Sequence, residues 1–125
     1  MDVRTLDEIL QATSDALFPA DMGRRVVTPD SVASDGDTPL HVMARRRDVH
    51  AVRLLLAAGA RANAAGDMGE TPLHVAISVN APAIAELLLA HGADPDRRCG
   101  FGDTPRERAR ARGGAIARAL SGTKR

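Results

Sequence analysis

One segment recurs three times at a fixed interval: GDTPLHVM at residues 36–43, GETPLHVA at 69–76 and GDTPRERA at 102–109, which sets Thr38, Thr71 and Thr104 at steps of 33 residues. The same offset carries Leu54-Leu55-Leu56 onto Leu87-Leu88-Leu89, and Gly59-Ala60 onto Gly92-Ala93. Two unrelated motifs kept in one register describe an array of similar units, each leaning on its neighbours.

Within a unit the residues specify two helices. Each motif Thr is an N-cap whose hydroxyl accepts a free N–H of the first turn, and the Pro after it occupies the first helical position, where its missing N–H costs little. A second helix follows, with Val52, Leu55 and Leu56 in one unit and Ile84, Leu87 and Leu88 in the next forming a single apolar stripe at i, i+3, i+4. Gly59 and Gly92 then stop it by taking the left-handed conformation. Neither helix pair can bury its apolar face alone, so the units must stack. Only two of the 125 residues are aromatic, which leaves Ala, Leu, Val and Ile to build that core.

These motifs resemble the ankyrin repeat family over residues 33–125. The resemblance implies an all-α solenoid of stacked helix-turn-helix units joined by β-turns. Residues 35–67 and 68–99 are then two full repeats. In 100–125 Arg106-Glu107 replaces Leu-His and Leu120-Ser121-Gly122 replaces the Leu triplet, as expected of a C-terminal capping repeat with a wet outer face, where Ile116 and Leu120 pack inward. Its last residues, to Arg125, are expected to fray. Residues 1–34 show no repeat motif. Thr5 to Glu8 fits a capping box, and Leu6, Ile9, Leu10, Thr13 and Leu17 share a face, so one capping helix over about 5–17 is expected, followed by an irregular segment at 18–34.

No pattern for catalysis, a cofactor or a metal stands out. The family resemblance makes His41 and His74 structural ties. His91 suits the end of a helix, His50 reads as solvated, and the single cysteine, Cys99, reads as an exposed turn thiol. One cysteine excludes an internal disulfide and a Cys-rich metal site. Charge is more informative. The total is +1, yet residues 1–37 carry net −5, 38–96 net −1 and 97–125 net +7. No run of about 20 apolar residues could span a bilayer, and the acidic start MDVRTLDEIL is no secretory signal, so the cytoplasm is the expected location. The Ala- and Arg-rich composition points to a GC-rich, bacterial genome.

Family register places partner contacts on the turn tips and the exposed face of each first helix. The expected set is Val42, Arg45, Arg46, Val75, Ser78, Val79, Arg108 and Arg112 on the helices, with Met68, Glu70, Arg97, Arg98 and Phe101 at the turns. Two Val between arginines read as an interface core with a basic rim. The implied function is a non-enzymatic protein-binding module for a partner with an acidic surface, such as a stoichiometric inhibitor or immunity protein of a bacterial toxin. The alternative is an adaptor or regulatory subunit of an enzyme. RERARAR in the cap raises nucleic-acid binding, which the acidic first third and the lack of stacking aromatics disfavour.

Overall fold

The computed structural model describes residues 2–21 and 26–121, so the expected fraying at 122–125 and part of the irregular segment lie outside it. Its helices are α1 (Leu6–Ala12), α2 (Ser14–Leu17), α3 (Pro39–Arg45), α4 (Val49–Ala57), α5 (Pro72–Ser78), α6 (Pro82–Ala90), α7 (Pro105–Arg112) and α8 (Gly114–Ser121). The pairs α3–α4, α5–α6 and α7–α8 pack within units. Across units α3, α5 and α7 form one layer, and α4, α6 and α8 the other.

The local chemistry matches the expected caps. Thr38, Thr71 and Thr104 each accept from the third helical N–H, with Pro at the first helical position. The stripe residues Val52, Leu55, Ile84, Leu88, Ile116 and Leu120 are buried between the layers, and Gly59 and Gly92 take φ of 93° and 90°. Between units the backbone folds three equivalent tight turns, with Ala33 N–H bonded to Asp37 O, Gly66 N–H to Glu70 O and Cys99 N–H to Asp103 O at 2.8, 2.8 and 3.1 Å. Gly66 has no room for a side chain: a Cβ there would meet Asp37 Oδ1 at 2.2 Å.

Histidine fastens one unit to the next. His41 Nδ1 accepts the Thr38 N–H at 3.1 Å while Nε2–H donates to the Glu70 carbonyl, in the following turn, at 2.8 Å. His74 repeats this with Thr71 at 3.1 Å and the Asp103 carbonyl at 3.1 Å. Both rings are buried, and loss of solvent pushes both below the ordinary imidazole pKa. In the cap the same position holds Glu107, which closes the capping box onto Thr104 N–H at 3.0 Å. Arg106, in register with Leu40 and Leu73, pairs with Asp96 at 2.9 Å and donates to Leu120 O. The polar outer side of the last unit is thus an ionic brace.

The N-terminal segment departs from a single helix. Thr13 turns its hydroxyl and N–H back onto the Leu10 carbonyl, at 2.6 and 3.0 Å, which ends α1 and starts the short α2 at a new angle. Thr5 stands 33 residues before Thr38 and makes the expected capping box with Glu8. Even so, α1 packs on α4 and α2 on α3, the reverse of the order in the following units. Arg4 clamps Asp48 through two bonds of 2.6 and 2.9 Å. His50, expected to be solvated, keeps 30% of its side chain exposed, and its Nε2–H donates to the Arg4 carbonyl at 3.2 Å. In the following stretch Val27 is buried and Val26 is exposed.

Candidate protein-interaction surface

Two apolar side chains stand out from the turn tips. Met68 and Phe101 are 48% and 66% exposed and hold equivalent places in adjacent turns, 33 residues apart. The turns are fastened together beneath them by Gly100 N–H to Met68 O at 2.5 Å. Met68 has φ 56°, a conformation that a β-carbon disfavours, so the turn holds its side chain outward at some cost in strain. In the turn of Phe101, Arg98 fixes Nη1 against Gly102 O at 2.6 Å and Glu107 at 3.2 Å. Its Nε and Nη2 donors have no partner among the described residues, leaving the forked edge open.

Other expected contact residues divide by burial. Val42 and Val75 are 5% and 3% exposed and belong to the core, so the expected apolar centre on the first-helix face is overturned. The reason is that α3 and α5 are covered by flanking helices and by the turns, leaving only their last residues open. Val79 is partly buried against the same core. Arg45 and Arg46 are exposed, the first 3.4 Å from Asp37 and the second bonded to Ala12 O at 3.3 Å. Ser78 and Arg112, with Arg108 and Ala111, line a shallow depression of about 360 Å³ between α5 and α7.

Arg108 is an internal brace. It takes the register position of Val42 and Val75 and spends every donor at home: Nε and Nη2 on the Asp103 carboxylate, both at 2.8 Å, and Nη1 on Glu70 and the Ser78 hydroxyl at 2.8 and 2.9 Å. Its Nη2 also reaches Cys99 Sγ at 3.4 Å. Glu70 is thereby half-buried and committed. The guanidinium holds the Asp103 carboxyl well below the usual carboxylate range. Cys99, expected to be exposed, is buried in this cluster, its thiol donating to Asp103 Oδ1 at 3.2 Å.

His74, Cys99 and Asp103 bring ligand atoms within 4.8 Å of one another, a grouping that single-sequence spacing did not reveal. It is poorly suited to a metal. The His74 lone pair at Nδ1 is taken by Thr71 N–H, Nε2 carries the proton given to Asp103 O, and the Arg108 cation lies against the thiol.

Stacked helix pairs, three equivalent turns and a histidine linking each turn to the unit before it are the decisive geometry. A family model described as ankyrin repeats (3 copies) matches residues 8–99. The chain belongs to the ankyrin repeat family. The match begins ahead of the first complete motif, in α1. No curated protein matches the sequence. Ankyrin repeats are in general protein–protein interaction modules. Among the described residues no helix is long and apolar enough to cross a membrane.

Proposed function

We propose that this ankyrin protein is a non-enzymatic, cytoplasmic binding module that grips an acidic surface of a partner protein through its turn tips. The carrying observation is the Met68–Phe101 pair, two exposed apolar groups at equivalent positions, beside the open donors of Arg98. An apolar anchor next to a half-tethered guanidinium suits a partner that presents an apolar side chain flanked by carboxylates. Arg45, Arg46 and Arg112, exposed at the ends of α3 and α7, add further cationic groups for such a partner. A compact module of this kind is suited to masking an enzyme or toxin stoichiometrically, as an immunity protein does.

Affinity capture from the native host lysate, with mass spectrometry, tests the reading. The wild-type chain is expected to retain one predominant protein, and Met68→Ala/Phe101→Ala to lose it while melting at the wild-type temperature. Retention by that variant equal to the wild type would refute the assignment of the tips.

A further inference from the structure

A second surface, sharing no lining residue with the first-helix depression, is a half-open cavity of about 500 Å³ under the middle turn. Its floor is Asn63, Ala64 and Ala65, and its walls carry Arg61, Arg97 and His91. Ala64 and Ala65 stand in register with Ser31 and Val32 in the preceding unit and with Arg97 and Arg98 in the next, so the middle unit carries the smallest side chains at these two positions.

The walls are firmly placed. Asn63 Nδ2 donates to Gly92 O at 2.9 Å and its Oδ1 accepts Asp94 N–H at 2.7 Å, tying the two loops together. Arg97 is tethered by Nη1 alone, to Asn63 O at 3.0 Å, which leaves the Nε–Nη2 edge free. The Arg61 carbonyl accepts the Ala64 N–H at 3.4 Å, while its guanidinium has no hydrogen-bond or ion-pair partner among the described residues. His91 Nδ1–H donates to Leu87 O at 3.0 Å, leaving Nε2 uncommitted. No carboxylate lines the cavity. Of the nearby acids, Asp96 pairs with Arg106 at 2.9 Å, Asp94 accepts the Asp96 N–H at 2.9 Å, and Asp30 lines the adjoining hollow that Arg61, Ala64 and Ala65 also border.

We propose that this cavity binds a phosphate monoester. Two permanent guanidinium charges, neither ion-paired with a described residue, match a dianion, and the open edge of Arg97 offers two parallel donors to two phosphate oxygens. A carboxylate would leave one of the charges unmatched. The ester can belong to a small molecule or to a phosphorylated side chain, and both present the same group.

The test is a titration of the full chain, followed by NMR at the backbone amides and at arginine Nε, with inorganic phosphate, O-phosphoserine and a phosphoserine peptide. Glutamate and chloride at matched ionic strength are the controls. Saturable shifts centred on Ala64, Ala65 and the Arg97 Nε–H are expected with all three phosphates, and Arg61→Gln and Arg97→Gln should each weaken binding by at least about tenfold without lowering Tm. Equal saturation by the free ester and the peptide identifies a small molecule as ligand, and a peptide preference of about tenfold identifies a partner side chain. Equivalent shifts from glutamate or chloride, or an Arg61→Gln/Arg97→Gln protein that binds phosphate like the wild type, would overturn the proposal.

Discussion

Replacing Arg108 by Met removes one charge and five donors while keeping most of the stem. Two carboxylates are then left without their cation: Glu70, with 20% of its side chain exposed, and Asp103, with 33%. Removing one partner from a fully buried pair costs about 3–5 kcal/mol, and from a solvated surface pair about 0–1 kcal/mol. Partial exposure puts the loss between those limits, at about 2 kcal/mol. For a chain of this length that lowers Tm by roughly 6–10 °C. The damage falls on the α5–α7 interface, so the cap should loosen before the first two units, and urea unfolding followed by circular dichroism should broaden or show two steps. Adding Glu70→Gln and Asp103→Asn to Arg108→Met removes the stranded charges and should recover more than half of the loss. An unchanged Tm in Arg108→Met, or no recovery in the triple variant, would refute the reading of Arg108 as a brace.

Three further outcomes are expected. Because burial holds His41 and His74 below the ordinary imidazole pKa of about 6.5, the unfolded chain binds more protons; their stabilisation is complete above that pH and is lost as pH falls below it, so urea midpoints measured downward from pH 7.5 should drop, and less so in His74→Gln. Gly66→Ala, whose added carbon would lie 2.2 Å from Asp37 Oδ1, should cost about 2–3 kcal/mol in a chemical denaturation series, whereas Gly59→Ala, with open space around it and φ 93°, should cost about 1 kcal/mol. The Cys99 thiol should react with a disulfide reagent about a hundredfold more slowly in the native chain than in urea, since access requires a local opening of about 3 kcal/mol; labelling at the unfolded rate would contradict its burial.

Much of the fold was legible because its signals are local. A threonine before a proline starts a helix wherever it falls, and the stripes around Leu55, Leu88 and Ile116 declare their faces by spacing alone. Contacts that cross units were not legible in the same way. Val42 and Val75 lie on short helices whose exposed and covered sides cannot be told apart by periodicity over seven residues, and stacking covers them both. Cys99 and Arg108 are nine residues apart and meet through a turn, with Glu70 arriving from the unit before. One signal was available: an arginine in register with two valines, within reach of acids at 70 and 103, is the mark of an internal pair. The hollow at Ala64 and Ala65 also required coordinates, since Arg61 on one side and His91 and Arg97 on the other come from different units.

The unit-to-unit tie also marks where such an array can accept a further unit. A ring that accepts with one nitrogen and donates with the other reaches back to its own cap and forward to the next turn, so a unit carrying it has a place for a successor. A carboxylate at the same position, as in Glu107, closes its own cap but has no proton to extend onward. Extra 33-residue units should therefore be accepted between Thr38 and Thr104. At Glu107 that forward donor is replaced by an acceptor, and the tie between turns is not repeated.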